Sequence, residues 1–129
     1  RPHSGGLDVS TVERFEAILK DGADSASLRF ALGTEYMKLA DFETEASPQS
    51  ITARALLRTR AIEHLRAAVV MDSEYSAAWK SLGRAETDAG LQKDAVKSYQ
   101  KGIHAATQHG DVQAAREMKV FLKRLQRHG

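Results

Sequence analysis

Apolar residues in the middle of the chain fall three and four positions apart. Ala61, Ile62, Leu65, Ala68 and Val69 form one such stripe, and 34 residues later Ala95, Val96, Tyr99, Gly102 and Ile103 repeat it. This spacing puts each set on one face of an α-helix, with small residues where a neighbouring helix comes close. A second pair recurs at another offset, Leu32-Gly33 returning as Leu82-Gly83 after 50 residues. The difference between 50 and 34 assigns 16 extra residues to the connection between the two helices of the first unit. Phe15, Ile18 and Leu19 map onto Leu65, Ala68 and Val69 with the same shift of 50, and the steps Phe15 to Leu32 and Leu65 to Leu82 are both 17. One register therefore satisfies three spacings, and a period of 34 is that of a stacked helix–turn–helix unit.

Punctuation along the chain predicts six helices. Helix 1, about 10–20, starts with Ser10 and Glu13 in capping-box spacing and stops at Gly22. Helix 2 covers about 25–40. Ser47 is an N-cap candidate with Pro48 at the first helical position, so helix 3 runs from there to about 71, roughly three turns longer than a repeat helix needs. Helix 4 (about 76–89) ends at Gly90, helix 5 (about 92–109) at Gly110, and helix 6 follows Asp111 to about 127. Where Leu-Gly would recur after Tyr99 stand Arg116 and Glu117, so helix 6 is not another true repeat. Its apolar stripe (Ala114, Ala115, Met118, Phe121, Leu122, Leu125) opposes Arg116, Lys123 and Arg127. One apolar and one polar face is what the end of a repeat array needs, and helix 6 is expected to be a cap. Residues 1–9 are expected to form a tail outside a single domain, 10–128. Within that domain, repeat 1 covers 25–72, repeat 2 covers 76–109 and the cap covers 111–127.

The segment Ala78-Trp79-Lys80-Ser81-Leu82-Gly83, followed by Gly90, Ala95, Tyr99 and Gly102, resembles a tetratricopeptide repeat. Leu32-Gly33-Thr34-Glu35-Tyr36, continued after the insert by Ala61, Leu65 and Ala68, resembles a second. The chain departs from the pattern at Arg29, which takes the place of the Trp in the first unit, and at Glu86, which takes that of the Tyr in the second. The usual Pro after the second helix is missing from both. The resemblance implies an all-α, short right-handed solenoid of antiparallel helix pairs acting as a non-catalytic protein-interaction module.

In this family the first helix of each pair lines a concave groove. The resemblance therefore implies that Ser27, Phe30, Thr34, Met37 and Lys38 of helix 2 line it with Ala77, Lys80, Arg84, Thr87 and Asp88 of helix 4. Phe30 and Met37 would supply apolar contacts, and Lys38, Lys80 and Arg84 cations. The lining suits a peptide carrying an acidic residue and an apolar anchor. Chaperone-binding members grip a C-terminal carboxylate with Lys/Arg and Asn. This chain has no Asn, and Thr34 and Arg84 directly follow the two Leu-Gly pairs, so that grip is absent in its usual form. In the insert, Phe42, Ile51, Leu56 and Leu57 lie where the repeats supply no evident cover. They predict either a projecting hairpin or an exposed apolar surface open to a partner or to self-association.

Composition narrows the alternatives. Of 129 residues, 42% are hydrophobic and 28% charged, as in an ordinary folded domain. The absence of Cys excludes disulfides and thiol chemistry. His104 and His109 are five apart and so on different helix faces, His64 is expected on a solvated surface, and His3 and His128 lie near the termini. The acidic trio Asp41, Glu43 and Glu45 falls in a loop, and neither a phosphate-binding loop nor a Gly-x-Ser-x-Gly elbow occurs. No catalytic residue, metal site or cofactor is expected.

Net charge is +2, but 1–45 carry 5 Lys and Arg against 9 Asp and Glu (−4), while 46–129 carry 14 against 8 (+6). The alternative function this raises is nucleic-acid or anion binding through helix 6 and the start of helix 3 (Arg54, Arg58, Arg60). Only Phe30 is expected to lie exposed near cations for base stacking, which leaves nucleic acid the lesser reading. No apolar run approaches the roughly 20 residues of a membrane span. No secretory signal is visible, though the start at Arg1 rather than Met admits a removed segment, and the cytoplasm is the expected compartment.

Overall fold

A computed structural model of the chain describes residues 8–43 and 46–128, and among these it is all-helical, with six α-helices and no strand. They are α1 (Ser10–Lys20), α2 (Ala26–Phe42), α3 (Pro48–Met71), α4 (Ser76–Asp88), α5 (Gln92–Gln108) and α6 (Val112–His128). Of the expected tail 1–9, only Asp8 and Val9 fall within the described residues.

Local chemistry sets the boundaries. Ser25 and Ser47 accept hydrogen bonds from the Leu28 and Ser50 amides at 3.0 and 3.2 Å, satisfying helix N-termini, and Pro48 takes the first turn of α3. The expected Ser10 cap is corrected by one residue, since Val9 takes the N-cap position with no side-chain bond of its own. Ser10 is already helical, and the Asp8 carboxylate accepts from both its amide and its hydroxyl at 3.0 and 2.7 Å. At the other ends, α1, α4 and α5 close with the same bond pair. Leu91 N–H, for example, donates to Glu86 O and Gly90 N–H to Thr87 O. That closure needs a left-handed residue, supplied at α4 by Gly90 with φ 80°.

Each helix packs on the next as an antiparallel hairpin, and α4 also meets α2 and α6, so it lies between them. The larger core joins α1 through α5 around Leu32, Leu65, Trp79 and Leu82, all buried. Gly33 and Gly83 are buried as the repeat register requires, because a β-carbon on either would strike Leu65 or Tyr99. A smaller cluster at the α5–α6 interface holds Tyr99, Ala106, Ala115 and Met118, with Phe121, Leu122 and Leu125 along its edge. The indole N–H of Trp79 donates to Ser73 O at 2.8 Å, tying the α3–α4 turn to the repeat. Ile18 differs from its repeat-mates in being 41% exposed, since no helix among the described residues packs on the outer side of α1.

Two of the expected solvent-facing residues are in the core. Met37 is 5% exposed, because it follows Gly33 by four residues and shares its face. His64 is 8% exposed, three residues after Ala61 and four before Ala68 on the buried stripe of α3.

Candidate cleft between α4 and α6

An open cleft of about 530 Å3 runs between the first helix of the second repeat and the last helix. Lys80, Arg84, Thr87 and Asp88 form its α4 wall; Phe121, Arg124 and Leu125 form its α6 wall; Tyr99 of α5 and Ser81 complete it. Lys80 and Arg84 are four apart on α4 and project from one face. On the α6 wall Phe121 and Leu125 share the same spacing, and the Arg124 guanidinium lies 5.9 Å from the centre of the Phe121 ring. Tyr99 is buried with its ring 5.6 Å from that of Phe121, and burial pushes its hydroxyl pKa up to about 12, so it stays a neutral group.

Neither cation stands free. Lys80 bonds Glu117 of α6, whose other oxygen accepts from Gln113 Nε2 at 3.1 Å. The Lys80 ammonium, and then Gln113, hold the Glu117 carboxyl below its usual pKa. Arg84 Nη2 donates to both oxygens of Asp41, on the last turn of α2, at 2.7 Å each, and Arg84 Nε lies 3.5 Å from Asp88. The Asp41 carboxylate raises the Arg84 pKa, fixing its positive charge. Ion pairs thus run from α4 to both neighbours.

Four of the groove residues expected from sequence, Lys80, Arg84, Thr87 and Asp88, meet in this cleft. The helix 2 set does not join them. Met37 is in the core, Phe30 is half-buried with its ring 5.0 Å from Tyr75, and Thr34 turns its hydroxyl back to Phe30 O at 2.8 Å. Lys38 is exposed and pairs with Glu35 at 3.1 Å. Phe121, Arg124, Leu125 and Tyr99 are additions from the structure. The signal for two of them was present, since Phe121 and Leu125 lie on the apolar stripe whose edge emerges into the cleft.

The two departures from the repeat pattern each nucleate a polar network. Arg29 Nη1 lies 3.2 Å from His64 Nδ1, and its guanidinium also bonds both oxygens of Asp24 at 2.9 Å. A guanidinium only donates, so Nδ1 is the acceptor, and the imidazole proton sits on Nε2, facing Glu16 at 3.2 Å. Tyr36 stacks on this ring and donates its hydroxyl to the same Glu16 oxygen at 2.6 Å. Burial, and next that bond, push its pKa up to about 12. Glu86, 2% exposed, accepts from the Ser98 hydroxyl at 2.6 Å and from Arg66 at 3.1 Å. Burial raises its carboxyl pKa against the opposing pull of those donors.

Among the described residues no cluster of three or more His, Asp or Glu is placed to hold a metal ion, and no helix is long and apolar enough to cross a membrane. Phe42, Ile51 and Leu56 of the α2–α3 hairpin are half-exposed, whereas Leu57 packs on the core. Of the two elements expected to form a basic surface, α3 packs on α2 and α4 and has no direct contact with α6. Arg54 in addition turns to cap the end of α2, donating to Glu43 O at 2.6 Å.

No family model matches the chain. It is 40% identical over 116 residues to TPR repeat-containing protein PA0015 of Pseudomonas aeruginosa, covering 90% of this chain and 95% of that one. It is 30% identical over 104 residues to the heat-shock protein cognate co-chaperone sgt12 of Aspergillus fumigatus, matching 71% of this chain but 30% of that longer protein. The solution structure of protein BPP2914 from Bordetella parapertussis superposes with a TM-score of 0.65 at 38% identity, over 91% of this chain and 88% of that one. With its repeat register and stacked helix pairs, the chain belongs to the tetratricopeptide-repeat family.

Proposed function

We propose that the chain is a non-catalytic interaction module that receives a segment of another protein in the cleft between α4 and α6. The observation that carries this is that one open volume brings the cations Lys80 and Arg84 of α4 opposite the apolar side chains Phe121 and Leu125, which flank Arg124 on α6. A peptide with an acidic group and an apolar side chain would satisfy both, the aromatic and Arg groups serving as anchors. In this reading residues 10–128 act as one unit, α2–α3 and α4–α5 are the repeats, and α6 both covers α5 and builds half of the site. The co-chaperone sgt12 supports protein binding in general. A chaperone-tail grip does not carry over, since the chain has no Asn to build it.

The test is capture of partners from the source cell with the wild type, with Lys80→Ala/Arg84→Ala and with Ile51→Ser/Leu56→Ser. The cleft variant should keep its melting temperature and lose the captured protein, while the hairpin variant retains it. The opposite pattern places the site on the α2–α3 hairpin. Loss of a captured nucleic acid on raising salt, with both variants still binding it, assigns the function to the basic face of α6.

A further inference from the structure

The cleft is electrically full. Lys80, Arg84 and Arg124 line it, and three carboxylates stand against the first two: Glu117 on Lys80, Asp41 and Asp88 on Arg84. Asp88 belongs to α4 itself. Asp41 and Glu117 reach in from α2 and α6, each engaging its cation from a neighbouring helix, as an incoming carboxylate would. All four side chains of these two pairs are between 38% and 53% exposed. The pairs are therefore screened by water and individually weak, so exchanging one carboxylate for another costs little.

We propose that Asp41 and Glu117 are intramolecular stand-ins for ligand carboxylates, holding Lys80 and Arg84 until a peptide with two acidic residues separated by one apolar residue displaces them. This rests on the assignment of the cleft as the peptide site. The spacing follows from geometry. Side chains four apart on a helix are about 5–6 Å from each other at Cβ. In an extended peptide, residues two apart share a face at about 6.5–7 Å, with the residue between them pointing the other way. Two acids can then meet Lys80 and Arg84 while the middle side chain faces Phe121 and Leu125. Asp88 stays beside Arg84 and repels further negative charge, which favours an acid–apolar–acid segment over a longer acidic run. A neutral peptide leaves both stand-ins in place and gains only the apolar contact.

The full chain is titrated by NMR with acetyl-GEFEG-amide, with its neutral counterpart acetyl-GQFQG-amide and with the permuted acetyl-GEEFG-amide. The acidic alternating probe should bind tightest and shift resonances of α4 and α6. Asp41→Asn and Glu117→Gln should each tighten it by about 1.5- to 5-fold, the range set by exposed ion pairs, and leave the neutral probe unchanged. If Lys80→Ala/Arg84→Ala abolishes binding of the acidic probe but the stand-in variants do not tighten it, the stand-in inference falls and the peptide cleft survives. If the neutral or permuted probe binds as well as the alternating one, the ligand class is wrong. If no probe shifts the cleft resonances in any variant, both the inference and the cleft assignment are overturned.

Discussion

Gly83 and Tyr99 approach so closely that a β-carbon on Gly83 would lie 2.6 to 2.8 Å from three carbons of the Tyr99 ring. Tyr99 is buried between Gly83 and Phe121 and its ring cannot bend aside, so α4 and α5 would have to separate. Gly83→Ala should therefore destabilise the protein by about 1–3 kcal/mol despite its better helix propensity. Chemical denaturation measures this, and an equal or more stable variant would show that the α4–α5 interface is loosely packed.

The buried carboxylate of Glu86 gives a pH signature. Its pKa is raised in the folded state by burial, so folding binds this proton more tightly than the unfolded chain does. The contribution to stability is fully present below the ordinary carboxylate value of 4.5 and is lost as pH rises through the higher folded value. Glu86→Gln removes the titration while keeping an acceptor for Ser98. The stability of wild type relative to this variant should increase as pH falls through that window. A constant difference would mean that Arg66 and Ser98 fully offset the cost of burial.

Tyr36 and Glu16 supply a third test. Tyr36→Phe removes the 2.6 Å hydroxyl donor yet keeps the ring stacked on His64, so the expected cost is about 0.5–1.5 kcal/mol. Nitrogen chemical shifts of His64 in the wild type at neutral pH should show a proton on Nε2 and an acceptor Nδ1. The opposite tautomer would contradict the Arg29 contact.

The repeat was legible because stacking forces the same small and large residues to recur. Leu32, Gly33, Leu65, Leu82, Gly83 and Tyr99 were all assignable to buried positions from their offsets, and all are buried. The family resemblance, which puts Lys80, Arg84, Thr87 and Asp88 on one face of the fourth helix, names the four residues that form the α4 wall of the cleft. Met37, expected in the groove from the family resemblance, and His64, expected on a solvated surface, are buried for one shared reason. Each follows a small core residue, Gly33 or Ala61, by three or four positions and so shares its face of the helix. The partners of the two cations could not be read, since Asp41 and Glu117 are 43 and 37 residues away and a local pattern carries no information about such pairs. The same holds for Arg29 and Glu86, which break the motif yet are accommodated by His64, 35 residues from Arg29, and by Arg66 and Ser98, 20 and 12 residues from Glu86.

Met118 tests whether α6 holds the end of the repeat stack together. It is fully buried, and its sulfur lies against the position where Gly102 lacks a side chain, so it fills the gap that this glycine opens between α5 and α6. Met118→Ala would leave a void there, and buried Met-to-Ala changes cost about 2–5 kcal/mol. Deletion of 111–129 goes further, baring Tyr99, Ile103 and Ala106 on α5 together with the site where Phe121 stood. At about 25 cal/mol per Å2 of apolar surface returned to water, the loss of two or more large contacts amounts to several kcal/mol, a large share of the stability of a small domain. The truncated chain should aggregate or melt well below the wild type, and Met118→Ala should fall between the two. If the truncated chain melts with the wild type, α5 ends the cooperative unit and α6 serves only the cleft. Lys80→Ala/Arg84→Ala and the truncation would then abolish peptide binding alike while leaving the fold equally stable.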